Sequence, residues 1–257
     1  MLKLIDVDKT FNKGTLDEAV LFEKFNLEVK DGQFVSIIGS NGSGKSTLLN
    51  LISGTLPIDS GIIEFCGKNI ANMAEHKCAK RMGRVLQDPK LGTSGELTIL
   101  ENMSLADNKG KRFGLSMATN KKRVEHYKEL LKTCNMGLEN RLDAKVGLLS
   151  GGQRQALALV IASMTDIDII LLDEHTAALD PKSSETIMQL TKQLVQNKGL
   201  TALMVTHNLR HAVEYGNRLV MMHQGEIVKD VADEEKDNVE IDDLLKIFNE
   251  ISIECGN

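Results

Sequence analysis

Apolar and polar residues roughly alternate over Leu2-Lys3-Leu4-Ile5-Asp6-Val7 and over Phe25-Asn26-Leu27-Glu28-Val29, the period of half-buried strands. Asp31-Gly32 is a turn signal, and the continuous apolar run Phe34-Val35-Ser36-Ile37-Ile38 predicts a fully buried strand. A Gly-rich turn follows, then a helix over Thr47 to Ile52 stopped by Gly54 and Pro57, then a short strand over Ile62 to Phe65. From about Asp88 to Ser163 the texture turns helical, with helical spacing over Leu100 to Leu105 and Lys122 to Cys134. The polar stretch Asn108 to Asn120 between those two reads as a loop. Buried strands return at Ile167 to Leu172 and Thr201 to Val205, separated by an amphipathic helix over Ser183 to Gln196. Met221 to Val228 reads as a terminal hairpin, and the acidic stretch Asp233 to Asp243 as a solvated helix or loop. Apolar strands alternating with helices imply an α/β protein with a mainly parallel sheet.

Composition narrows the field. The chain has 257 residues, of which 42% are hydrophobic, enough for a sizeable core, but only 4% are aromatic and Trp is absent. The core must therefore be aliphatic. A net charge of −5 argues against a bulk electrostatic nucleic-acid binder. Cys66, Cys78, Cys134 and Cys255 show no zinc or redox spacing and read as incidental thiols in a reducing compartment. The N-terminus lacks the apolar run of a signal peptide. The longest apolar stretch, Ala156 to Met164, is far short of the roughly 18–20 residues a membrane span needs. The expectation is a cytoplasmic protein, held on the inner face of the membrane by another chain if it works there.

Gly39-Ser40-Asn41-Gly42-Ser43-Gly44-Lys45-Ser46, followed by Thr47, fits the phosphate-binding loop at every required position. Glycines let successive N–H groups point at one anion, Lys45 brings a positive charge to the outer phosphates, and Ser46 offers a hydroxyl to magnesium. The helix that follows adds its positive end. At ordinary glycine usage such a match arises by chance about once per hundred chains of this length. The flanking strand and helix make a plain Gly-rich turn the weaker reading.

In doubly wound sheets, ligands gather at the carboxyl ends of strands. The run Ile169 to Leu172 ends in Asp173-Glu174, a pair that would also suit a helix N-terminus. Asp173 is placed to hold magnesium. Glu174, one residue on, is placed to act as general base on a water. The strand Thr201 to Val205 delivers Thr206-His207, and His207 is placed to touch a terminal phosphate and orient Glu174 or water. His76, His126, His175, His211 and His223 have no comparable setting and read as structural or exposed.

Leu149-Ser150-Gly151-Gly152-Gln153 precedes a strongly apolar helix and makes a second anion cradle of N–H groups, a hydroxyl and a helix start. One nucleotide does not need two cradles from one chain. Two copies arranged head to tail do, which implies a twofold dimer with shared sites. In these segments the sequence resembles an ABC-type ATPase over almost its whole length. By that resemblance Gly39 to Thr47 is the Walker A segment and Gln87, in Val85-Leu86-Gln87-Asp88-Pro89, the Q-loop glutamine, expected near magnesium. Ser150, Gly151, Gly152 and Gln153 belong to the signature, Ile169 to Glu174 to Walker B, Asp180 to the D-loop, and His207 is the switch histidine. The family stacks an aromatic on adenine; Phe11 is the candidate, with Phe22 behind it.

The resemblance implies a P-loop NTPase (RecA-like) core with an N-terminal antiparallel β subdomain and an inserted α-helical signature subdomain. Residues 1–87 and 164–230 would form the β subdomain and core, 88–163 the helical subdomain, and 231–257 an acidic C-terminal tail, all within one ABC ATPase domain. ATP and Mg2+ are the implied cofactors. A homodimer, a separate integral membrane permease and a lipoprotein substrate binder are the implied partners, with no nucleic acid. His175 stands where many relatives have Pro or Ala. That spelling, with Phe11-Asn12-Lys13-Gly14-Thr15, resembles a bacterial subgroup often assigned to aromatic amino-acid uptake. The leading expectation is the ATP-hydrolysing motor of an importer; the alternative is a soluble assembly ATPase, such as one serving iron–sulfur cluster biogenesis. A P-loop kinase or GTPase has no use for Leu149 to Gln153, and the chain has no room for the coiled coil of DNA-repair relatives.

Overall fold

The computed structural model describes residues 2–109, 119 and 121–254. In chain order its elements begin with β1 (Leu2–Phe11), β2 (Ala19–Val29), β3 (Phe34–Gly39), α1 (Lys45–Ser53), β4 (Ser60–Phe65), β5 (Lys68–Asn69), α2 (Glu75–Cys78) and β6 (Met82–Val85). Next come α3 (Ile99–Asp107), α4 (Val124–Lys132), α5 (Gly151–Ser163), β7 (Ile169–Asp173), α6 (Pro181–Lys198) and β8 (Thr201–Val205). The chain closes with α7 (Leu209–Glu214), β9 (Arg218–His223), β10 (Glu226–Ala232), α8 (Asp233–Asp237) and α9 (Ile241–Glu254). Most of the expected polar loop Asn108 to Asn120, and Cys255, lie outside the described residues. The chain forms two compact units, Met1–Ala79 with Leu200–Asn257, and Lys80–Gly199.

The first unit holds an antiparallel sheet in the order β2-β1-β4-β5. Its register sets Leu2 opposite Val29 and Leu4 opposite Leu27, all four buried, while Lys3 and Glu28 face out and pair at 3.1 Å. The alternation seen in the sequence is this sheet's two faces. The same unit holds β3 between β8 and β9, parallel to both, with β10 antiparallel on the far side of β9. Phe34 through Ile38 and all of β8 are buried, as parallel strands with two covered faces require. Arg218 forks onto Asp230 at 2.8 and 2.7 Å and donates to the Glu28 carbonyl at 2.6 Å, joining the two sheets of the unit.

One expectation is extended here and one corrected. The segment read as a terminal hairpin is one, between β9 and β10, but β9 is also a parallel neighbour of β3. The acidic tail is not simply solvated. Its carboxylates mostly face water, but Val239 and Leu244 are buried with Ile38, Ala212, Leu219 and Met221, flanked by Ile247 and Phe248. Lys236 is buried and its ammonium donates to the Val213 carbonyl. Charge count hid an amphipathic helix whose apolar residues recur at helical spacing.

In the second unit β6 and β7 pair in parallel, Met82 with Ile169 through Val85 with Leu172. Thr98 and Glu101 close a reciprocal cap on α3, the Thr98 hydroxyl accepting from the Glu101 amide at 3.2 Å and the Glu101 carboxylate from the Thr98 amide at 2.7 Å. The α3 and α4 helices are locked by Asp107, which accepts from the Tyr127 hydroxyl at 2.9 Å and from Arg123 at 2.8 Å. Burial first, and that carboxylate second, push the Tyr127 hydroxyl up to about 12. A Cβ on Gly83 would lie 2.5 Å from the Ala162 carbonyl oxygen, so α5 rests directly on β6.

Leu244→Ala is expected to destabilise the protein by about 3 kcal/mol in urea denaturation, the usual loss for a buried leucine. A change under ~0.5 kcal/mol would mean that α9 is solvated after all.

Candidate nucleotide site

In the first unit the chain leaves β3 at Gly39 and turns into α1. Gly39 has φ 154°, and a Cβ there would lie 2.1 Å from the Met222 carbonyl oxygen, so no other residue fits. The turn closes with the Ser43 amide donating to the Ser40 carbonyl at 3.2 Å. The first turn of α1 carries no acidic side chain and no side-chain cap, so its orphan N–H groups suit an external anion. Lys45 is buried, its ammonium donating to the carbonyls of Gly39 and Ser40 at 2.8 Å each and lying 3.4 Å from Ser43 Oγ. The loop thus pins its own cation in place. Asn41, Gly42 and Ser46 are exposed, Ser43 and Gly44 buried, and Thr47 half-buried.

The neighbouring strands end beside this turn. In β8, Val205 pairs with Ile37, and the Thr206 amide donates to the Ile37 carbonyl at 3.1 Å. His207, exposed, follows at once, so the predicted histidine leaves the sheet at the same edge as the loop. On the other side of β3, β9 ends in His223, whose Nδ1 lies 3.1 Å from Ser40 Oγ. The sequence reading gave His223 no such setting. The signal was there: Leu219 to Met222 is an apolar run like those of β3 and β8, and a strand parallel to β3 ends where β3 ends.

Of the two aromatic candidates, Phe22 is fully buried, 4.7 Å from the Phe25 ring, with its Cζ 2.8 Å from where a Cβ on Gly44 would be. It is a packing residue under the loop. Phe11 is half-buried at the end of β1, with the Lys9 ammonium 5.5 Å from its ring centroid, and stays the candidate for stacking.

In the second unit, β7 carries four buried apolar residues and ends at half-buried Asp173, 3.6 Å from the Arg84 guanidinium of β6. Glu174 follows with φ 48°, left-handed and costly for a residue with a Cβ. The Ala177 amide donates to its carbonyl at 2.9 Å. His175 is buried, as a structural histidine should be. Its Nε2 lies 3.1 Å from the Thr191 hydroxyl, which itself donates to the Ile187 carbonyl at 2.8 Å. Gln87 is exposed just beyond β6. Asp180 caps α6, accepting from the Ser183 amide at 3.0 Å. The Ser183 hydroxyl, then that amide, hold its carboxyl below the usual carboxylate value.

Ser150 and Gln153, expected as phosphate-facing residues, also form a reciprocal cap on α5. The Ser150 hydroxyl accepts from the Gln153 amide at 3.2 Å, and Gln153 Oε1 accepts from the Ser150 amide at 3.2 Å. The Ser-x-x-Gln spelling announces this cap, and the sequence reading missed it. Ser150 remains exposed. A Cβ on Gly152 would sit 3.1 Å from Ser183, and one on Gly151 3.5 Å from Leu179, so the signature and the Asp180 loop meet. The residues expected to hold magnesium, Ser46, Gln87 and Asp173, present a hydroxyl, an amide oxygen and a carboxylate. Each is an oxygen donor of the kind a hard divalent cation takes.

Comparison with known proteins identifies the family. The sequence matches the family model described as ABC transporter over residues 22–177. It is 47% identical over 248 residues to the tyrosine transport ATP-binding protein of Clostridioides difficile strain R20291, covering 96% of this chain and 98% of that one. A solved dimeric post-hydrolysis ATP-binding cassette with ADP and Pi superposes with TM-score 0.77 at 32% identity, over 90% of this chain and 98% of that one. The ADP form of a cassette from an ABC transporter gives TM-score 0.81 at 28% identity, over 100% and 99%.

Ser150→Ala is expected to lower stability in urea by about 1 kcal/mol, the usual loss of a helix cap, with Ser150→Thr keeping most of it. Equal stabilities of wild type and Ser150→Ala would mean that the cap contributes nothing.

Proposed function

The chain belongs to the ABC transporter ATP-binding family, and from that membership we propose that it drives uptake of an aromatic amino acid through a separate membrane permease. The protein is an ATPase: it splits ATP with water into ADP and phosphate, as its family does. The importer reading is carried by near-full-length similarity to a tyrosine transport ATP-binding protein. Among the described residues no helix is long and apolar enough to cross a membrane, and in this reading the permease supplies the membrane contact. The helical segment 88–163 is the part proposed to dock on it, and a lipoprotein binder would deliver the cargo.

The chemistry follows from the strand ends. Lys45, held by its own loop carbonyls, places one positive charge against the outer phosphates, and the α1 N–H groups take the rest of the anion. Phe11 stacks on the base. Glu174 takes the proton from a water as its oxygen bonds the γ-phosphorus, and the bond to the β–γ bridging oxygen breaks to release ADP. His207 hydrogen-bonds the γ-phosphate and orients that water. Ser46, Gln87 and Asp173 would hold magnesium, which would neutralise phosphate charge. The signature of a second copy, Ser150 to Gln153 with Asp180 nearby, closes over the same nucleotide. ADP lacks the group that this signature grips, so differential affinity for the closed pair drives the cycle.

Three substitutions test the roles. Lys45→Ala is expected to abolish tight nucleotide binding by calorimetry; an unchanged affinity contradicts the cradle. Glu174→Gln should bind ATP but turn over at least ~100-fold more slowly, and accumulate as an ATP-bound dimer on size exclusion. Wild-type turnover would remove Glu174 from its role. Ser150→Arg should bind nucleotide as a monomer and fail to dimerise in the Glu174→Gln background; persistence of the dimer would sink the shared site.

A further inference from the structure

We infer that the turn between β9 and β10 is a positioning element for the phosphate loop, and that His223 is the positioning residue through which its sequence acts. The inference rests on the reading of Gly39 to Ser46 as the nucleotide cradle and deepens it.

Three loop residues touch this segment. Ser40 Oγ meets His223 Nδ1 at 3.1 Å, the Gly225 amide donates to the Ser43 carbonyl at 3.2 Å, and Gly39 lies hard against the Met222 carbonyl. The loop is therefore held at its start and its middle by 222, 223 and 225. The turn is itself immobilised. His223 and Glu226 face each other across it, with Gln224 at φ 43° and Gly225 at φ 82°, the two-residue I′ turn that matches strand twist. Behind it stands β2: a Cβ on Gly225 would lie 1.6 Å from the Leu21 carbonyl oxygen. The turn is wedged between β2 and the loop and has no room to yield.

A loop whose N–H groups must aim at one anion loses affinity if it has to be ordered at binding, and gains it if it is ordered beforehand. The Met222 and Gly225 contacts use backbone atoms and rest on glycines at 39 and 225. The His223–Ser40 bond joins the side chains of both partners. Its direction follows the imidazole tautomer, but in either direction it fixes the second residue of the cradle.

The test is calorimetric titration of MgADP into the full chain. His223→Leu keeps a similar volume and removes the ring nitrogens. His223→Asn puts an amide group the same number of bonds from Cα as Nδ1, able to accept from Ser40 or donate to it. His223→Leu is expected to weaken MgADP about fivefold, the worth of one hydrogen bond. His223→Asn should return it to within about twofold of wild type. Ser40→Ala should match the loss, and His223→Leu should add nothing in that background. Should His223→Leu fail to fold, Ser40→Ala breaks the same bond without touching β9, and wild-type affinity there overturns the inference. So does equal loss in the Leu and Asn variants, the mark of a packing role. Lys45→Ala separates the two layers. If it abolishes binding while His223→Leu leaves it intact, only the positioning role falls; if Lys45→Ala binds normally, the cradle reading falls with it.

Discussion

A cluster of backbone N–H groups aimed at one point, with a buried ammonium beside it, does not hold itself together without a ligand. The donors repel each other's partial charge, and the cation must be solvated by something. In this protein the carbonyls of Gly39 and Ser40 take the Lys45 ammonium at 2.8 Å each, which answers the second demand. The parallel strands answer the first. With β8 on one side of β3 and β9 on the other, the loop emerges between two strand ends, one giving His207 and the other touching Ser40. The aliphatic core is the means to that geometry. Fully buried β3 and β8 cannot slide, so the edge at which they end is fixed to a fraction of a residue.

Much of this was legible because it is local. The cradle, the signature and the strand running into Asp173 are each spelled within ten residues, and hydrophobic runs placed the strands they sit on. What was not legible depends on neighbours far along the chain. The β6 segment, Met82-Gly83-Arg84-Val85, is too short and too polar to read as a strand; its pairing with β7 and the cover of α5 over Gly83 make it one. His223 became part of the site only when β9 proved parallel to β3, a fact that the apolar run preceding it suggests but the reading as a hairpin concealed. The last helix was masked by its own charge: Asp242 and Asp243 lie beside Leu244, and a count of acidic residues does not see that Leu244 and Val239 reach the core.

The caps show local spelling serving two ends. Ser150-x-x-Gln153 reads as a phosphate-binding signature and, in this chain alone, as the reciprocal cap of α5. The two uses are compatible. The cap employs the Ser150 hydroxyl as acceptor and leaves its proton, together with the first amides of the helix, for an anion brought by another molecule. Asp180 is similar, capping α6 while sitting in the loop that meets the signature glycines. A residue that already stabilises a helix is held in one rotamer before any ligand arrives, so ordering it at binding costs little.

The same logic explains the departure at His175. Glu174 leaves β7 in a left-handed conformation that costs of order 1 kcal/mol for a residue with a Cβ, and it persists only if the surroundings over-determine it. The constraint in front is the hydrogen bond from Ala177 to the Glu174 carbonyl; the constraint behind is His175, buried and bonded through Thr191 to the Ile187 carbonyl of α6. A proline there restricts the chain by fixing φ, whereas this histidine restricts it by anchoring a side chain to a helix. Either device serves one end: under the role proposed for Glu174, a carboxylate that holds a water in line cannot be carried on a backbone free to choose among conformations. Both units of the chain thus keep a buried or half-buried histidine beside a residue proposed to face the ligand: His223 bonds the Ser40 hydroxyl, and His175, next to Glu174, bonds Thr191 of α6.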